Sequence, residues 1–190
     1  RALDVGEKNI FHLLTGEAKV EEVVHNANPN WKNTHIIPAD IILNTLPARL
    51  AGVLGYEKVL TKWLDRIDHL YDVIYIDSSP EISMLTQISL RAADHLLIPT
   101  DSSVFSERSI DKIIGIAEQL RDDAGHDINL LGIVLSLCHK DNAVANIEAK
   151  NALSKRYGSK FLKGLELPHT TKAIEAQGRN KGSKDMVVIP

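Results

Sequence analysis

Asp77 ends the apolar run of residues 71–80, YDVIYIDSSP, where Val73, Ile74, Tyr75 and Ile76 lead into a carboxylate, two serines and a proline. A short unbroken apolar run of this kind reads as a buried parallel strand. Ligands in open α/β sheets bind beyond the carboxyl ends of such strands. An aspartate placed there can reach a metal-bound water beside a phosphate, the task of the Walker-B acid in nucleotide hydrolases. The competing reading is that Asp77 caps the helix expected from Ser83, since strand-end aspartates also serve as turn and cap residues. Ser78 and Ser79 lack an adjacent base, so they supply small volume rather than a nucleophile.

Other chemistries find little in this chain. A phosphate cradle needs Gly-x-x-x-x-Gly-Lys-Ser/Thr, because glycine amides wrap the phosphates and the lysine neutralises them. The nearest approach, Gly178 to Lys184, has the wrong spacing. Eight histidines form no His-x-x-x-His pair, and Cys138-His139 lacks partners at zinc-site spacing. No Gly-x-Ser-x-Gly elbow is present for a serine hydrolase. Cys138 is the single cysteine, so no intramolecular disulfide can form; it follows an apolar run and reads as a small buried hydrophobe.

Charge is uneven. The net value is −3, yet residues 150–184 hold nine Lys/Arg against two acids, a local +7 on a body of −10. A positive end on an acidic body suits a polyanion partner, or else a solvated helix face and tail. Lys150, Lys155 and Arg156 are spaced to share part of one helix surface. No aromatic residues interleave with them as in single-strand binders. No run reaches the roughly 18 apolar residues of a membrane span.

The elements that must position these groups alternate. Short helices are expected at 9–14 and 17–26, a strand at 34–37, and helical sequence over 39–54 broken just before Pro47. Residues 56–69 carry Val59, Leu60, Trp63, Leu64 and Ile67 at helical spacing. There follow strand 73–76, helix 83–92, strand 95–98, helix 106–121 with Ile110, Ile113, Ile114, Ala117 and Leu120 on one face, strand 130–137, helix 143–156, strand 161–167 and helix 170–177. Alternation without tight hairpin signals predicts an α/β fold, a mostly parallel sheet with helices on both faces. The length of 190 residues and the 44% hydrophobic and 25% charged content fit a globular chain that buries such a sheet, expected as one domain over 1–190.

The segment IDSSPEISMLTQISLRAADHLLIPTDSSVFSERSI resembles the ParA/Soj family of DNA-partition ATPases, whose pattern is strand, D-x-x-P, helix, A-A-D, then a strand ending in I-P. The likeness extends through NIFHLLTGEAKVEEVV and THIIPAD upstream, and through INLLGIVLSLCHKDN and LELPHTTKAIEAQGRNKG downstream, in order and over nearly the whole chain. It begins after the place where the family keeps its first strand, its P-loop lysines and its switch aspartate, and ends where the family continues into a terminal helix. The expectation is an internal fragment of a longer ATPase, its sheet lacking the central P-loop strand and the chain by itself unable to hydrolyse ATP. The sequence departs from the family at Ser79, where a second proline usually precedes Pro80.

The resemblance implies that the whole protein binds ATP and Mg²⁺, closes into a nucleotide-sandwich homodimer, binds duplex DNA without sequence preference, and answers to a ParB-like centromere-binding partner. By the same token Asp77 would position Mg²⁺ through water, Pro168 would lie in the loop flanking the adenine, and Lys150, Lys155 and Arg156 would belong to the DNA-binding surface. The location implied is cytoplasmic and nucleoid-associated. Two alternatives stand beside this: a MinD-like or organelle-positioning ATPase of the same superfamily, and a non-enzymatic DNA- or protein-binding remnant.

Overall fold

The computed structural model describes residues 8–27, 33–79, 81–102, 106–138 and 143–168. They fall into two compact units, one running to Ala93 and the other from Asp94.

The first unit is mostly helical. Helix α1 (Ile10–Leu14) starts at Asn9, whose side-chain oxygen accepts the Phe11 N–H at 3.0 Å. Ile10, Phe11, Leu13 and Leu14 are all buried, so this one-and-a-half-turn helix is held by packing rather than by its own length. Helix α2 (Val20–Val23) follows Gly16, which takes the left-handed conformation (φ +77°). Two-residue strands β1 (His25–Asn26) and β2 (His35–Ile36) pair antiparallel, with His25 opposite Ile36. The strand expected at 34–37 therefore exists, but it pairs with the stretch expected to be helical over 17–26 and not with the parallel sheet. Val24 turns the backbone extended (ψ 124°), and the β-branched pair Val23-Val24 ends α2 there.

A 3₁₀ helix at Ile41–Thr45 then gives way to α3 (Leu46–Leu50), with Pro47 in the first turn of the α-helix. The break falls where the proline requires it: an imino nitrogen costs nothing in a first turn, where no intrahelical acceptor is available. Residues 56–70 form a 3₁₀ turn (Tyr56–Lys58), helix α4 (Val59–Leu64) and another 3₁₀ turn (Asp68–Leu70), a broken version of the one helix expected there. Residues 71–79 form neither a helix nor a paired strand, so the strand expected at 73–76 is not formed among the described residues; α5 (Met84–Ala92) comes next. Ile10, Phe11, Leu13, Leu46, Leu60 and Ile88 form the centre of this core, and Ile74 and Ile76 pack against it.

The second unit carries the parallel sheet. Strand β3 (His95–Thr100) pairs parallel with β4 (Asn129–Leu135), from His95 opposite Asn129 to Thr100 opposite Leu135. Between them runs α6 (Ser106–Ala124), the β-α-β crossover that parallel neighbours require. Ile110 of α6 is buried with Ile98, Ile133 and Leu135, and Ile113 and Ile114 pack beside it, the face foreseen from their spacing. Helix α7 (Ala143–Tyr157) contributes Leu153 to the same core.

The strand expected at 161–167 is reduced to two parallel bridges, Ile133 to Phe161 and Cys138 to Pro168. Between them the chain turns at Gly164 (φ +92°), whose N–H donates to Glu166 Oε1 at 3.3 Å, before Leu167 N–H rejoins Leu135 O at 2.8 Å. Lys163-Gly164 interrupts the apolar run, and a glycine in the left-handed region cannot continue a ladder. The sheet irregularity at Leu96/Leu97 leaves Leu131 unpaired and brings Gly132 under Leu162; a Cβ on Gly132 would lie 2.5 Å from Leu162 Cγ.

Candidate nucleotide and DNA-facing sites

Asp77 follows the apolar stretch 73–76 in the first unit. Its neighbours alternate: Ile74 and Ile76 pack into the core, whereas Val73 and Tyr75 are 62% and 69% exposed. The segment is thus buried on one face, and no strand among the described residues pairs with 73–76. Asp77, Ser78 and Ser79 are exposed, and the Asp77 carboxylate has no partner among the described residues. The helix that follows is capped by Ser83, whose Oγ accepts Thr86 N–H while Thr86 Oγ1 accepts Ser83 N–H at 3.3 Å. The Ser79 hydroxyl turns back to accept Glu81 N–H at 3.3 Å. Capping of α5 therefore proceeds without Asp77.

A hydrated Mg²⁺ keeps several waters and takes only one or two carboxylates, so a single exposed carboxylate such as Asp77 fits an outer-sphere contact to that ion. The described residues contain no cluster of three or more His, Cys, Asp or Glu that would cage a metal directly. The sequence contains no Gly-x-x-x-x-Gly-Lys-Ser/Thr phosphate-wrapping loop. A groove of about 850 Å³ in the same unit, bordered by His35, Trp63, Arg66 and Tyr71, does not include Asp77.

In the second unit the strand ends converge. Ser136 donates its N–H to Thr100 O at 2.6 Å and its hydroxyl to the same oxygen at 3.1 Å, tying the carboxyl end of β4 to that of β3. Thr100 is buried with its own Oγ1 unpartnered among the described residues. Leu137 adopts φ +54°, a left-handed conformation unusual for a branched side chain, and is half exposed. Cys138 N–H donates to Leu167 O at 3.1 Å, which sets the exposed Pro168 beside the β4 end. Backbone irregularity at the carboxyl edge of a parallel pair is where such sheets receive ligands. Thr100 and Leu137 were not singled out by sequence reasoning, because nothing in their types marks burial without a partner or a positive φ.

Of the basic residues, Lys150 pairs with Glu166 at 3.2 Å. Glu166 is held below the usual carboxylate range, first by the Gly164 N–H and also by Lys150. Arg156 is bound by Asp111 and lies 3.9 Å from Glu107. Lys155, Lys160 and Lys163 are exposed and have no ion-pair partner among the described residues. Residues 169–190, which hold Lys172, Arg179, Lys181, Lys184 and the helix expected at 170–177, lie outside the described residues. None of the described helices is long and apolar enough to cross a membrane.

Comparison with known proteins fits this architecture. The family profile of an AAA domain matches residues 2–130. The chain is 29% identical over 138 residues to a ParA family protein of Chlamydia trachomatis, covering 69% of this chain and 52% of that one. It is 26% identical over 176 residues to the chromosome-partitioning ATPase Soj of Thermus thermophilus, covering 92% and 66% respectively. The first relatives are matched over about half their own length. Among solved structures, the cobyrinic acid a,c-diamide synthase of Mycobacterium smegmatis with bound ADP and magnesium superposes with a TM-score of 0.77. It is 21% identical, over 87% of this chain and 65% of that one, a likeness of fold. The chain belongs to the AAA-domain family of ParA and Soj partition proteins.

Proposed function

We propose that this chain forms most of a partition ATPase that binds ATP with Mg²⁺, dimerises around the nucleotide, and moves or positions DNA cargo through a ParB-like partner. The observation that carries the reading is Asp77: a carboxylate that follows an apolar stretch packed on the core through Ile74 and Ile76, exposed, unpartnered among the described residues, and relieved of capping by Ser83. Such a group is available to an incoming hydrated cation. Within the second unit, exposed Pro168 beside the β4 end is the proposed backbone contact for an adenine. Lys150, Lys155 and Arg156 are the proposed face for sequence-independent duplex DNA, with Lys155 the one of the three that has no ion-pair partner among the described residues.

When bound, Mg²⁺ supplies charge that stabilises the transferring phosphoryl group. The part of this chain in that chemistry is to hold one water of the metal's shell through the Asp77 carboxylate. Asp77→Asn keeps size and hydrogen-bonding atoms but removes the charge. In the whole protein, Mg-ATP turnover should fall at least tenfold, about 1.4 kcal/mol or more in the barrier. Unchanged turnover per folded molecule in that variant overturns the assignment of Asp77 and leaves the ATPase reading without a residue-level support.

A further inference from the structure

Helices α6 and α7 are joined by a charged cluster of Arg156 with Asp111 and Glu107. Arg156 Nε lies 3.4 Å from Asp111 Oδ1, and its second terminal nitrogen binds Asp111 Oδ2. The remaining terminal nitrogen faces Glu107 Oε2 at 3.9 Å. The Tyr157 hydroxyl lies 2.9 Å from Asp111 Oδ1 and 3.2 Å from the Glu107 carbonyl oxygen. All three guanidinium nitrogens therefore face carboxylates. Two carboxylates against one guanidinium leave the cluster at −1, although it sits on the helix that carries Lys155. The planar fork of arginine fits a carboxylate and a phosphate in the same bidentate way. Side-chain exposures of 50% for Arg156, 41% for Asp111 and 38% for Glu107 leave the cluster open to an incoming ligand.

We propose that Glu107 and Asp111 act as an internal phosphate mimic: they occupy Arg156 and hold down the affinity of this face for a polyanion, leaving contact to Lys155, Lys160 and Lys163. The proposal rests on the reading of this surface as DNA-facing. It assigns Arg156 a reserve role in place of a standing phosphate contact, and it makes two acids of α6 the determinants of how tightly DNA is held. Asp111 is positioned for this by Tyr157, whose hydroxyl donates to the same Oδ1 that faces Arg156 Nε.

The test is equilibrium binding of a random-sequence duplex by the whole protein across a salt series, with thermal melts of every variant. In E107Q/D111N the freed Arg156 should tighten binding about tenfold at low salt and steepen the salt slope by about one, the signature of one added phosphate contact. Adding R156Q to that pair should abolish the gain. E107Q alone, which leaves the Asp111 pair in place, should gain about two- to threefold and keeps the test usable if the double variant melts early. Wild-type binding with E107Q/D111N within twofold of it overturns the proposal and leaves DNA binding standing. R156Q alone flattening the slope by about one also overturns it, since Arg156 would then already contact phosphate. Binding by E107Q/D111N but not by the wild type supports the mimic and overturns only the DNA-facing role of the unmodified surface. Absence of binding in both sinks the two together.

Discussion

Asp77 and Gly132 mark two different demands on single residues. Asp77 is exposed and has no partner among the described residues, so its replacement by asparagine should leave the melting temperature within error of the wild type. A cap would behave otherwise, since losing one costs about 1 kcal/mol; that cost belongs to Ser83. Gly132 is the reverse case. Its φ is +156°, and a Cβ there would meet Leu162 Cγ at 2.5 Å. Gly132→Ala should destabilise the second unit by about 1–3 kcal/mol, the usual range for overpacking a closed site. Chemical denaturation of G132A and of G132A/L162A checks the cause. If the leucine is what the methyl strikes, the double variant should cost less than the sum of the two single changes. What the sequence made legible at Asp77 is its position, at the end of an apolar run whose Ile74 and Ile76 pack into the core; the paired strand expected over 73–76 is not formed among the described residues. The demand on Gly132 was not legible, since it arises from Leu162, thirty residues away.

At the scale of elements, local signals read well where the cause was local. Pro47 breaks its helix at the expected place, Ser83 opens α5, and the isoleucines of α6 face the core. Non-local pairings escaped. The partner of β2, the reduction of 161–167 to two bridges, and the Asp111–Arg156 pair across 45 positions all depend on where separate segments meet. The run at 73–76 looked buried on both faces, yet Val73 and Tyr75 are exposed, because apolar composition cannot say how many layers cover a strand. The α6–α7 junction also carries a pH signature. Burial and the Asp111 hydrogen bond push Tyr157 up to about 12, from an ordinary 10.0. A raised folded-state value means that this contribution is complete below about pH 10 and fades as pH climbs through about 12. The Arg156 guanidinium, with help from Tyr157, holds Asp111 below the ordinary carboxylate range. That contribution is present above the usual aspartate value and is lost as pH falls through the depressed one. Tyrosine absorbance on alkaline titration should show a late step that Y157F removes and D111N moves earlier. An unchanged late step in Y157F would place it on another tyrosine.

At the scale of the whole molecule the question is whether the charge asymmetry is used. Acidic residues dominate the chain, with a net −3, while the positive excess gathers after residue 150. The part of the sequence whose charge suits a polyanion is the segment 150–184. Binding should then be sequence-independent and driven by the release of counterions from the duplex. The logarithm of affinity should fall linearly with the logarithm of salt, at a slope of about −0.9 per neutralised phosphate. Lys155, Lys160 and Lys163 are exposed without ion-pair partners among the described residues, so each is free to contribute. Reversing all three to glutamate should therefore flatten the slope by about two to three and weaken every duplex sequence alike. Reversing Lys150 should do less, because Glu166 already holds it at 3.2 Å. A loss confined to one DNA sequence would mean base readout, which phosphate contacts by lysines do not provide. A slope unchanged by the triple reversal would make this face a solvated surface and move any DNA contact to residues beyond 168.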